Sequence, residues 1–223
     1  MTKKLFAEAV FKFLLGVVRV GLLVFLPAGS FNFLQGWLFV VVLFVPMLIA
    51  GIVMMAKTPA LLKSRLDAKE KQGEQQLVIK LSGLMFVVGF LLAGFNYRFG
   101  WHILPLWISA TGAVVLLLGY VMFAFVLKQN AYLSRTIKVE QNQKVVESGL
   151  YGIVRHPMYS ATLLMFLSMP VILGSLWSLL VFLAYPFIIA MRIKNEEKLL
   201  ENELQGYLEY KNKVKYRLIP FIW

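Results

Sequence analysis

The stretch MYSATLLMFLSMPVILGSLWSLLVFLAYPFIIAM, residues 158–191, runs for 34 positions without a charged side chain and is bracketed by Arg155-His156 and by Arg192. One helix of that length would rise about 51 Å, far more than a hydrocarbon core of about 30 Å. Two complete crossings would need about 40 residues and a turn. The solution that fits is a tight, tilted helical hairpin. Pro170 and Gly174 mark its reversal and leave two arms of roughly 13 to 17 residues.

Working outward, four more apolar runs, at 11–26, 37–56, 77–95 and 103–127, each suit a membrane helix. The whole chain is 60% hydrophobic and 15% charged, whereas soluble domains carry about a quarter charged residues. The expected fold is therefore all-α and polytopic, a single integral membrane domain over 1–223. Four spanning helices in 1–127 precede the C-terminal hairpin, making five to six membrane segments. Lys3-Lys4 before an apolar run resembles a secretory leader, but Arg19 interrupts it, and Pro27-Ala28-Gly29-Ser30 leads straight into another apolar segment. It reads as a first span.

The net charge of +12 comes from 23 Lys and Arg against 11 Asp and Glu. These basic residues lie between apolar runs, which marks them as topology signals and not as a nucleic-acid surface. Two stand at the N-terminus, six in 57–80, five in 128–155 and seven from Arg192 onward, while 27–36, 96–102 and 170–175 together hold only Arg98. The positive-inside rule puts both termini and the two long connectors in the cytoplasm. The mixed-charge connector 58–76 is expected to lie on anionic headgroups. With no cysteine there is no disulfide, thiolate nucleophile or Cys-ligated metal, and no metal site is expected.

In a membrane protein, polar residues held against apolar segments are costly, and they concentrate where a cavity or function needs them. Two clusters flank the hairpin: GLYGIVRHPMY at 149–159 and RIKNEE at 192–197. Pro157 suits a first helical position, with His156 as cap and free N–H groups in the following turn, an anion site strengthened by Arg155 and His156. Arg192 and Glu196 share a helix face at i, i+4. A hairpin returns both clusters to the same side of the membrane. Taken singly, each residue has a plainer role: arginines and tyrosines as interfacial anchors, glutamates as a solvated face, and Gly16, Gly89 and Gly112 as helix-packing positions. Together they set a cationic corner against two carboxylates, which suits a zwitterionic ligand with an amino-acid moiety, such as S-adenosylmethionine.

These motifs resemble those of the isoprenylcysteine carboxyl methyltransferase family and its relatives among the phospholipid methyltransferases, bacterial or archaeal type. The resemblance rests on 149–159, the uncharged hairpin, RIKNEEKLL at 192–200, YLEYKNKVKYRLIP at 207–220, and Asn130-Ala131-Tyr132-Leu133-Ser134 upstream. It implies that 128–223 forms the cofactor-binding and catalytic region. There Tyr151, His156, Tyr159, Glu196 and Glu197 would bind S-adenosylmethionine, with Arg192 on the substrate side. The family's Gly two positions after the motif Tyr is replaced by Ala161, whose methyl is expected to narrow a close approach of helix and cofactor.

The implied reaction is methyl transfer to a lipophilic acceptor at the cytoplasmic face of a bacterial or archaeal cell membrane. A carboxylate acceptor is ionised at neutral pH and needs no base, whereas an ammonium must first lose a proton. The shortage of buried bases favours carboxyl O-methylation of an isoprenylcysteine-like substrate, with Arg192 or Arg155 orienting the carboxylate. Three other readings compete with it: phospholipid or amine N-methylation, an NADPH-dependent sterol-type reductase, and a membrane protein that keeps the fold without catalysis. The reductases share the Arg-His-Pro and late Tyr-Arg-x-x-Pro elements, but Ser160-Ala161-Thr162 stands where their acidic extension is expected.

Overall fold

A hydrocarbon environment forces every backbone N–H and C=O to find a partner within the chain, and helices do this locally. The computed structural model describes residues 3–66, 73–130, 132, 139 and 143–223, and these are overwhelmingly helical. Four long helices come first: α1 (Lys3–Ala28), α2 (Leu34–Lys57), then, after the short α3 (Pro59–Leu66), α4 (Gly73–Phe99) and α5 (Leu106–Gln129). The expected runs 11–26, 37–56 and 77–95 lie inside α1, α2 and α4, and the run 103–127 starts three residues before α5, with Pro105 at its N-cap. The hairpin follows as α6 (Pro157–Ile172), α7 (Leu176–Phe182) and α8 (Tyr185–Glu203), and α9 (Tyr207–Lys213) precedes the C-terminal tail.

Among the described residues, five segments are long and apolar enough to cross a membrane, the last being Leu176–Glu203. The other arm, α6, has 16 residues and rises only about 24 Å, which is the short, tilted geometry expected of the hairpin. Gly174 makes the reversal with φ 68°, and the Ser175 hydroxyl caps α7 by accepting from the Ser178 N–H. Pro170 lies inside the last turn of α6, so Gly174 and not Pro170 turns the chain. The second arm breaks at Leu183-Ala184, just before Pro186, which has no N–H to continue the ladder.

Small residues set the helix spacing. A Cβ on Gly119 of α5 would fall 2.5 Å from Met165 Cγ and 3.3 Å from the Ala161 carbonyl oxygen of α6. A Cβ on Gly89 of α4 would fall 2.4 Å from the Phe182 ring. Gly16, by contrast, would meet only an ordinary contact with Phe44 at 3.7 Å. Ala161 is therefore a packing residue whose backbone faces α5, and it does not line the cavity described below.

At the end opposite the site, the Leu104 N–H donates to the Gly174 carbonyl at 3.0 Å, and the Asn96 amide closes the α4–α5 connection through His102. At the site end, the Lys12 ammonium donates to the Leu66 carbonyl at 2.7 Å, tying the start of α1 to α3. Helix α3 is more than a headgroup contact. Leu62 is buried, and the Arg65 guanidinium approaches Met158 Sδ at 3.9 Å and lies over the Phe123 ring at 5.5 Å.

Candidate active site

The hairpin brings α6 and α8 back to one end, where the tail folds over them. The Arg155 and His156 N–H groups donate to the Tyr216 and Arg217 carbonyls, both at 2.9 Å, and the Ser160 hydroxyl donates to the Leu218 carbonyl at 2.6 Å. This strap carries Arg217 to the motif from about sixty positions downstream.

Adjacent helical residues point about 100° apart, and here that separates the two glutamates. Glu197 is 3% exposed. Its Oε1 accepts from Arg155 Nε at 2.7 Å and lies 3.3 Å from His156 Nε2, and its Oε2 accepts from Arg217 Nε at 2.8 Å. Arg155 also spends Nη1 on the Val214 and Lys215 carbonyls, at 2.7 and 2.8 Å. This is a buried, hydrogen-bonded ion cluster joining α6, α8 and the tail.

Glu196, half-buried, turns the other way. Its Oε2 accepts from the Tyr159 hydroxyl at 2.5 Å, and the Tyr159 oxygen in turn accepts from Arg192 Nε at 2.9 Å. Arg192, Tyr159 and Glu196 thus form a hydrogen-bonded chain along one wall of an open cavity. Asn130, Val145, Tyr151, Met158, Leu200 and Tyr207 complete much of the remaining wall.

His156 occupies the N-cap position of α6, but its side chain makes no capping bond. Its ring stacks on Tyr159 with centroids 5.7 Å apart and faces Glu197. The expected anion site at this helix end is largely closed. Pro157 has no N–H, and the His156 carbonyl takes the N–H groups of Tyr159 and Ser160 at 3.0 and 3.2 Å. Positive charge at the cavity comes instead from the side chains of Arg155, Arg192 and Lys144.

Tyrosines line the back. Burial pushes the Tyr151 phenol up to about 12, against the hydrogen bond from Asn130 Nδ2 at 3.1 Å. The Tyr210 hydroxyl donates to the Tyr151 carbonyl at 2.7 Å. Burial first, and then the charges of Glu197 and Glu196, push the Tyr207 phenol far above its usual range.

The structure brings Tyr151, Arg155, His156, Tyr159, Arg192 and Glu196 to one cavity, with Glu197 directly behind it. Tyr207 and Tyr210 also line the cavity, and Arg217 joins Glu197 behind it, without having been singled out from the sequence. The only sequence signal for them was their place in the 207–220 element. Within the upstream stretch 130–134, Asn130 and Tyr132 line the cavity, and residues 131, 133 and 134 lie outside the described residues.

The sequence model of the phospholipid methyltransferase family matches residues 107–205, a span that runs from α5 through α8. No curated protein matches the sequence. Among solved structures, the fold is similar to that of a eukaryotic intramembrane Ras methyltransferase, isoprenylcysteine carboxyl methyltransferase, with a TM-score of 0.51 and 18% identity. The likeness covers 84% of this chain and 74% of that one. The family match carries the reaction class, methyl transfer by a membrane protein, and the structural likeness carries the polytopic helical fold.

Proposed function

We propose that the protein transfers a methyl group from S-adenosylmethionine to a lipophilic acceptor, by carboxyl O-methylation of an isoprenylcysteine-like substrate. The observation that carries this reading is the Arg192–Tyr159–Glu196 chain on the cavity wall, a cation and a carboxylate held in register by one hydroxyl. In this reading the site opens to the cytoplasm of a bacterial or archaeal cell, on the side that the positive-inside rule assigns to both termini.

The residues present fit the cofactor. The cavity offers the Glu196 carboxylate to an ammonium and neighbouring arginines to a carboxylate. S-adenosylmethionine brings a methyl already activated by its sulfonium, so alignment matters more than acid–base help. Glu196 binds the cationic part of the ligand, and Tyr159 holds Glu196 in place. Arg192, linked to the same hydroxyl, presents its guanidinium to the acceptor's carboxylate. The cluster of Arg155, His156, Arg217 and Glu197 holds α6 and α8 at a set distance, so Arg155 and Glu197 act here as positioning residues. The acceptor's hydrophobic tail lies among the spans, with membrane lipids as neighbours.

The family's description favours a second acceptor, a phospholipid amine, which would need Glu196 or His156 to take a proton. Titrating S-adenosylhomocysteine and, separately, NADPH into the detergent-solubilised protein tests the cofactor. Saturable binding of the first alone is expected, and binding of NADPH alone refutes the reading. Transfer of labelled methyl to a prenylcysteine analogue, measured beside phosphatidylethanolamine, then decides the acceptor.

A further inference from the structure

The strap that crosses α6 ends in a loop with apolar side chains turned outward. Phe221 is 87% exposed, Ile222 76% and Ile219 38%. These residues lie outside the five segments long and apolar enough to cross a membrane, yet they stand beside a helix that meets lipid. Ser160, whose hydroxyl donates to the Leu218 carbonyl, shares a face at i, i+4 with Leu164, the one exposed position of α6. The loop is therefore continuous with the lipid-facing stripe of that helix.

Two further features suit it to a bilayer. Helix α6 rises only about 24 Å against a hydrocarbon core of about 30 Å, so about 6 Å of that core goes uncovered along this arm. The loop sets its apolar side chains next to the first turn of α6, where that band is missing. Its backbone is also nearly self-contained. The Arg217, Leu218 and Ile219 N–H groups donate to the Trp223 backbone oxygen at 2.9, 2.9 and 3.2 Å, and those of Ile222 and Trp223 donate to the Ile219 carbonyl at 3.2 and 3.1 Å. Pro220 has no N–H. Closing these groups internally is what a medium poor in water requires. The Arg217 guanidinium lies 5.1 Å over the Trp223 ring, a pairing of cation and amphipathic aromatic that suits the membrane–water boundary.

We propose that residues 219–222 form an interfacial anchor: Phe221 and Ile222 insert among the lipid acyl chains at the site end of the molecule. The anchor thereby holds in place the strap that carries Arg217 to Glu197.

The chain has no cysteine, so Phe221→Cys and, separately, Ile222→Cys each carry a single environment-sensitive fluorophore. In phosphatidylcholine nanodiscs both labels should shift to the blue, lose intensity to nitroxide-labelled phosphatidylcholine as a label on Leu164→Cys does, and resist aqueous iodide. Glu209→Cys, at an exposed position of α9, is the aqueous reference and should show the reverse. The Ile222 variant keeps Phe221 in its left-handed conformation, φ 66°, and supplies the readout should Phe221→Cys fail to fold. Iodide quenching at 221 and 222 as strong as at 209 would place the loop in water, and protection from both quenchers would place it under protein, such as a second copy of the chain. Either result overturns the proposal. Ile222→Asp should lower the melting temperature in nanodiscs by about 2–4 °C, and an unchanged temperature would overturn the anchoring role.

Discussion

Glu197→Gln isolates the ion cluster behind the cavity. The native carboxylate sits between Arg155 Nε at 2.7 Å and Arg217 Nε at 2.8 Å, with His156 Nε2 at 3.3 Å. An amide keeps the shape but loses the charge, and it turns an acceptor into a donor facing a guanidinium. The Arg155 side chain is 4% exposed and cannot turn to water, whereas Arg217, at 28%, partly can. Removing one partner from a buried pair costs about 3–5 kcal/mol, and the exposed arm contributes little, so the lower figure, about 3 kcal/mol, applies. For a chain of this length that is a fall in melting temperature of about 6–12 °C. Glu196→Gln should behave in the opposite way. It should melt within about 2 °C of wild type and lose about tenfold or more in affinity for S-adenosylhomocysteine, because a charged hydrogen bond is lost at the ligand and not in the frame. Thermal unfolding of the detergent-solubilised variants, followed by tryptophan fluorescence, with calorimetry in parallel, reads both effects. Two variants with unchanged melting temperatures and equal losses of affinity would show that the carboxylates act as a pair at the ligand and would refute the division of labour.

Three other outcomes follow from the same geometry. Arg192→Ala should reduce turnover more than cofactor affinity, and a larger effect on affinity in a binding titration would move Arg192 to the cofactor side. Tyr159→Phe removes the hydroxyl that joins Arg192 to Glu196 and should cost about 1–3 kcal/mol, or roughly fivefold to 150-fold, in kcat/KM; wild-type kinetics would dismiss the relay. Gly119→Ala forces its methyl against Met165 and should destabilise by about 1–3 kcal/mol. Met165→Ala in that background should lose less stability than it does alone, as a double-mutant cycle on melting temperature would report.

The spans were legible in sequence because a bilayer permits few solutions. Backbone groups must be satisfied within each segment, so a one-dimensional run of apolar residues already specifies a helix, and length arithmetic over 158–191 specified a hairpin. The motif residues were legible for a related reason. Arg155, His156, Arg192, Glu196 and Glu197 are polar residues at the very ends of that hairpin, and its closure has to bring them together. What each of them faces depended on the third dimension. Neighbouring positions on a helix diverge by about 100°, so Glu196 and Glu197, adjacent in sequence, serve a cavity and a buried ion cluster respectively. The same rotation turned Ala161 toward α5 and away from the cavity. The His156 carbonyl, by accepting two N–H groups, closed an anion site that a Pro at N1 had suggested. Arg217 reached the ion cluster through a strap whose path is set by long-range backbone hydrogen bonds, and no local pattern encodes those. Sequence alone determined the membrane fold and the end of it that holds the site. The tertiary structure decided which side chains line the cavity and which hold the frame, because that choice rests on packing partners distant along the chain.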